Sequence, residues 1–166
     1  MKKIFVITSV CLVFLVTIWL LFYYVLYPVK YKNEIIIAAK TYNVEPALIA
    51  AVINAESSFD KNKVSVKNAV GLMQLLPSTA ASLTDQEVNL FDPKTNISLG
   101  VKYLSYLIKK FNDTETALFA YNAGEGNVAR WLSEQGVTQL RTCPFKETNA
   151  YVAKIKKTLK YYNNRI

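Results

Sequence analysis

The strongest constraint on this chain is a run of 23 residues, Ile4 to Leu26, without a single charge. Only Thr8, Ser9 and Thr17 within it are strongly polar. At about 1.5 Å per helical residue, such a run crosses a bilayer core of roughly 30 Å with length to spare. Lys2 and Lys3 precede it, and Lys30 and Lys32 follow it. Trp19, Phe22, Tyr23, Tyr24 and Tyr27 gather at the far end, where amphipathic rings suit a membrane interface. A cleaved signal peptide has a shorter apolar core, about 7–15 residues, followed by a small-residue cleavage site. This run is longer and ends in bulky aromatics, and Val10 stands where a lipoprotein signal wants a small residue before Cys11. The expectation is an uncleaved single-span anchor over residues 1–27. Residues 28–166 then form one domain outside the cytoplasm.

Composition narrows the chemistry. With 52% hydrophobic and 19% charged residues, the 166-residue chain has the balance of a folded protein. It contains no histidine, which removes Ser-His-Asp and Cys-His catalysis and His-based zinc sites. The two cysteines are too few for a four-cysteine metal site. Cys11 falls in the anchor, and Cys143 reads as a small buried apolar residue. Any catalysis must rest on carboxylates, hydroxyls, amides or lysine.

Beyond Tyr27 the pattern is helical, and the fold class is all-α or mostly so. Asn33 is a candidate cap for a helix over Glu34 to Tyr42, with Asn43 as its stop. Pro46 opens a second helix whose run from Ala47 to Ala55 is almost wholly apolar, the mark of a central buried helix. It delivers Glu56 at or near its end. Residues 57–70 are polar and aperiodic, a loop or a small irregular or β segment. A short helix over Ser78–Leu83 follows Pro77, and a polar connection runs through Asn89 and Asp92-Pro93. The spacing from Ile97 to Phe111 gives an amphipathic helix of some 15 residues. Asp113 or Thr114 caps the next helix, which breaks at Gly124 and Gly126. A short helix over Val128–Ser133 and a long basic one from Glu147 to Tyr162 complete the pattern.

The net charge of +8 is concentrated. Residues 141–166 hold seven Lys and Arg against Glu147 alone. Such a helix suits anionic lipid headgroups, an anionic wall polymer or an envelope complex, unless it is simply a solvated face. Export argues against nucleic acid as its partner.

Glu56 is the leading candidate for chemistry. A carboxylate at the end of an apolar helix is costly to leave ionised and dry, so burial raises its pKa toward the range useful to a general acid. Around it stand Ser57, the segment Gly71-Leu72-Met73-Gln74-Leu75-Leu76-Pro77-Ser78-Thr79-Ala80, then Ala120-Tyr121-Asn122-Ala123-Gly124, and Glu147-Thr148 with Tyr151-Val152. The Gly71 segment joins a residue permitting close backbone approach, an amide able to read a polar substrate, and a Pro-led helix start.

In this order, and with Asn96-Ile97 and Gly100 between them, these motifs resemble those of the lytic transglycosylase domain, the soluble-transglycosylase-like enzymes of lysozyme-like fold that cleave peptidoglycan. The resemblance spans about residues 33–160. It implies that Glu56 is the single catalytic acid/base. It implies that Ser57, Ser65, Gln74, Leu76, Tyr121, Asn122 and Tyr151 contact or border the substrate. Leu76 stands where some members carry methionine. The implied reaction cleaves the MurNAc-GlcNAc β-1,4 bond and leaves 1,6-anhydro-MurNAc ends, with no metal or cofactor. The residues agree with this, because no good second carboxylate accompanies Glu56: Asp60 shares its helical face only if the helix continues past Ser57-Ser58. A muramidase-type hydrolase on the same fold and a non-catalytic wall-binding module are the alternatives.

Overall fold

A computed structural model describes the backbone of residues 2–166 and the side chains of all but 1–6, 20, 22–24 and 26. Its elements are α1 (Lys2–Leu26), α2 (Lys32–Tyr42), α3 (Pro46–Ser57), α4 (Pro77–Leu83), α5 (Pro93–Phe111), α6 (Thr114–Ala123), α7 (Glu125–Gln135) and α8 (Lys146–Tyr162). The only β character among the described residues is a pair of isolated bridges, Val64 with Val70 and Val70 with Leu75.

α3 is the centre of the domain. Every residue from Ala47 to Asn54 is buried, which is what its unbroken apolar run demands. α8 packs along it, α2 crosses from α3 to α5, and α6 fills the space between α5 and α8. One core cluster joins Ile49, Ile53, Phe59, Met73, Leu104 and Phe119. A smaller one, Leu75, Ala80, Leu90 and Leu99, seats α4 and the neighbouring loop on α5.

Several boundaries differ from the sequence expectation. α2 begins at Lys32, two residues earlier than expected, because Tyr31 takes the left-handed conformation (φ 57) and its carbonyl accepts from Ile35 N. Asn43 does terminate α2 in the left-handed region (φ 55). α5 starts at Pro93, not near Ile97: Asp92 caps it by accepting from Thr95 N, and proline suits the first helical position. Asp113, not Thr114, caps α6. Only Gly124 (φ 87) interrupts the chain there, while Gly126 lies inside α7, which is longer than the Val128–Ser133 segment expected. Cys143 is buried and unpaired, as expected.

α1 is a continuous helix whose described large apolar side chains, from Ile7 to Val25, are all exposed. Among the described residues, no helix is long and apolar enough to cross a membrane. In α1 the described side chains are unbroken only from Ile7 to Trp19. The interfacial placement expected of Phe22, Tyr23 and Tyr24 lies outside the described side chains. Just after α1, the chain is fastened to the domain. The Tyr27 ring stacks on Tyr161 with centroids 4.3 Å apart, Arg165 donates to the Tyr27 carbonyl, and the Tyr162 hydroxyl donates to Pro28 O at 3.3 Å. Tyr162 also accepts from Asn54 Nδ2 at 2.6 Å, so this junction is tied to α3 two residues before Glu56.

Candidate active site

Glu56 occupies the last turn of α3. The helix ends at Ser57, one residue after Glu56, because Ser58 turns left-handed (φ 53) and donates its N–H to Asn54 O. Asp60 therefore does not share a helical face with Glu56. It sits exposed in a turn, where its carboxylate accepts from Asn62 N at 2.9 Å.

Burial dominates the environment of the Glu56 carboxyl and lifts its pKa from 4.5 to about 7. Three neighbours pull the other way: the Tyr151 hydroxyl first, then the Lys63 and Lys154 ammonium groups. No second carboxylate is among the groups acting on it. The Tyr151 hydroxyl is buried, faces Glu56, and makes no well-formed hydrogen bond among the described residues. It nonetheless acts on the carboxyl, stabilising its ionised form, and hydrogen bonds at active sites often tighten only when substrate binds. Both the Tyr151 and Tyr121 hydroxyls are pushed well above their ordinary pKa, by burial and then by the charge of Glu56, so each remains a neutral donor.

The wall opposite α8 is the loop from Val70 to Leu76, and buried polar contacts hold it in place. Tyr121 Oη donates to Met73 O at 2.9 Å, linking α6 to the loop. Asn96, fully buried on α5, accepts from Met73 N at 2.8 Å and donates to both Val70 O and Leu90 O at 2.9 Å. One amide thus bonds three backbone groups, of which Met73 N–H and Leu90 O depend on it while Val70 O also accepts from Leu75 N at 3.1 Å. Gly71 (φ 78) is required here: a Cβ would stand 2.5 Å from Leu90 O and 2.4 Å from Asn96 Nδ2. At Gly100 a Cβ would meet Met73 Sδ at 2.4 Å, so its absence lets α5 approach the loop.

The structure thus gathers Glu56, Tyr121 and Tyr151 into one site. Gln74 (φ 48) belongs to the adjoining loop, but its amide nitrogen is committed, donating to Lys63 O at 3.0 Å and Gly71 O at 2.9 Å. Ser65 lies half-buried in the preceding turn, where its Oγ accepts from Ala69 N at 3.0 Å and Lys67 N at 3.3 Å. Leu76 is exposed at the entrance to α4. Asn122 is half-buried near the end of α6, and no described contact joins it to Glu56.

Ser57 is buried, and its hydroxyl proton is shared between Leu72 O at 2.8 Å and Ile53 O at 3.2 Å. It bolts α3 to the loop wall. Lys63 and Lys154 escaped the sequence reading, because nothing local connects either to Glu56. Asn96 and Gly100 were noticed only within a motif. Their separation of four residues on one helix face was the available signal for a shared contact with the loop.

Comparison with known proteins agrees with this geometry. The family profile described as "Transglycosylase SLT domain" matches residues 33–143. A transglycosylase of Enterobacteria phage PRD1 is 42% identical over 94 residues, which cover 57% of this chain and 34% of that protein. The membrane-bound lytic murein transglycosylase E of Buchnera aphidicola is 33% identical over 144 residues, covering 76% of this chain and 65% of that protein. The crystal structure of the 70 kDa soluble lytic transglycosylase of Escherichia coli superposes with a TM-score of 0.77 at 28% identity. That match covers 83% of this chain and 25% of that one. The chain therefore spans only about a third of the phage protein and a quarter of the Escherichia coli enzyme.

Proposed function

This chain belongs to the transglycosylase SLT domain family, and from that premise we propose that it is a peptidoglycan lytic transglycosylase acting through Glu56 alone. One observation carries the reading: a single carboxyl, with a pKa near 7, closes a buried helix between two neutral tyrosine hydroxyls and has no carboxylate partner acting on it. Retaining and inverting hydrolysis by paired carboxylates needs a second acid within about 5–10 Å. A one-carboxylate site takes its nucleophile from the substrate.

In the proposed sequence, protonated Glu56 gives its proton to the glycosidic oxygen between MurNAc and GlcNAc as the C1–O bond breaks. The N-acetyl oxygen of the same MurNAc stabilises the positive charge developing at C1. The Glu56 carboxylate then takes the proton of the C6 hydroxyl, whose oxygen bonds to C1. The product is a 1,6-anhydro-MurNAc end, no water is consumed, and Glu56 returns to its starting form. A pKa near 7 suits a group that must serve as acid and then as base near neutral pH. Tyr151 and Tyr121 border the reacting carboxyl, and Ser65, Gln74, Leu76 and Asn122 supply candidate groove contacts.

We further propose that α1 anchors this domain to the bacterial cell membrane, with residues 28–166 on the outer side. The uncharged Ile4–Leu26 run and the exposed apolar faces of α1 support this. The basic α8 is a candidate contact for an anionic wall polymer, although Lys156 is already paired with Glu115 at 2.8 Å.

Glu56→Gln, assayed on purified peptidoglycan, tests the catalytic reading. The expected result is a folded protein without turnover, and turnover at the wild-type rate would overturn it.

A further inference from the structure

Two cations sit at the catalytic end of α3, and neither is explained by the family motif. Lys63, from the loop after α3, donates to the carbonyl of Glu56 itself. Lys154, from α8, reaches the same helix end from another side, with Nζ 3.4 Å from Asn54 O and 3.3 Å from Ala55 O. These carbonyls belong to the last turn, where a helix leaves acceptors unsatisfied and carries partial negative charge. No carboxylate forms an ion pair with either lysine among the described residues; the nearest anionic group acting on Lys154 is Glu56 itself. The two ammonium groups repel each other, and with burial this pulls Lys154 below the usual lysine range. An arrangement that brings two like charges together at one helix end is costly unless the field they create is useful.

We propose that Lys63 and Lys154 are positioning residues for the transglycosylase reaction, holding the end of α3 in place and keeping the Glu56 carboxyl able both to release and to recover its proton. The argument rests on Glu56 being the acid/base. Burial alone favours the neutral acid and would leave it too weak a proton donor for the first step. The helix C-terminus acts in the same direction, since its carbonyls disfavour a nearby anion. The groups facing the carboxyl are Tyr151 and Lys154 from α8, Tyr121 from α6 and Lys63 from the loop. Only the two lysines among them carry charge. They oppose the helix-end field and partly offset burial, which keeps the carboxylate form within reach near pH 7.

The test uses the full chain and compares pH–rate profiles on purified peptidoglycan for wild type, Lys63→Gln, Lys154→Gln and Lys154→Arg. Glutamine keeps a donor for the α3 carbonyls and removes the charge, which separates electrostatics from packing. The basic limb of the profile should move to higher pH by on the order of half a unit in each Gln variant. Lys154→Arg should keep the wild-type limb. A fall in rate with unmoved limbs in both folded Gln variants would overturn the proposal and leave the lysines a purely structural role. Glu56→Gln runs alongside: activity surviving in that variant would refute the Glu56 reading itself, a different failure from unmoved limbs.

Discussion

The Tyr151 hydroxyl is buried against the Glu56 carboxyl and completes no hydrogen bond of its own among the described residues. An orphaned buried hydroxyl costs about 1–3 kcal/mol, so its retention beside a carboxyl whose pKa burial has raised fits a bond that tightens when substrate arrives. Tyr151→Phe should leave thermal stability unchanged or slightly raised and lower turnover about 10- to 100-fold. Thermal denaturation and a peptidoglycan assay on the same preparation check both halves.

Glu56 also makes stability depend on pH in a defined direction. Its folded pKa, about 7, lies above the ordinary 4.5. The neutral acid therefore contributes fully below the unfolded pKa, and that contribution is lost as pH rises toward 7. Glu56→Gln has no such proton to lose. Relative to wild type, this variant should gain stability between pH 4.5 and 7 by on the order of 3 kcal/mol, and the difference should level off above. Chemical denaturation of both proteins at several pH values reads the difference directly.

Asn96 holds three backbone groups of the loop wall, so Asn96→Ala should be among the most damaging single changes away from the carboxyl. Stranding Met73 N–H and Leu90 O, and removing one of the two donors to Val70 O, should cost at least about 2 kcal/mol, seen as a lower denaturation midpoint.

Gly71→Ala meets the Leu90 carbonyl and the Asn96 amide that three hydrogen bonds hold in place, and does so at a positive φ. It should destabilise more than Gly100→Ala, whose new methyl presses on the Met73 side chain. Gly100→Ala should instead show its effect in turnover, through displacement of the carbonyl that Tyr121 holds. Comparing melting temperature with specific activity for the pair separates the two outcomes.

The sequence revealed the parts of this molecule that follow from local pattern. The apolar run after Pro46 specified a buried helix, and with Ser57-Ser58 behind it Glu56 had to fall at its end. What it did not reveal depends on distant partners. Nothing local to Ser57 shows that its hydroxyl bonds Leu72 O, 15 residues on. Lys154 is 98 positions from Glu56 and reads as one more basic residue on α8, until packing lays that helix against the end of α3. The start of α5 was legible in principle, through Asp92-Pro93, but the apolar period begins a turn later and obscured it.

The central claim is that one carboxyl suffices because the substrate supplies the nucleophile. Digesting purified peptidoglycan in water enriched with heavy oxygen, followed by mass spectrometry of the released fragments, tests this most directly. The account predicts MurNAc ends one water lighter than a hydrolysis product, free of heavy oxygen, and absent from a Glu56→Gln digest. Reducing MurNAc ends carrying heavy oxygen would contradict it and identify the chain as a hydrolase.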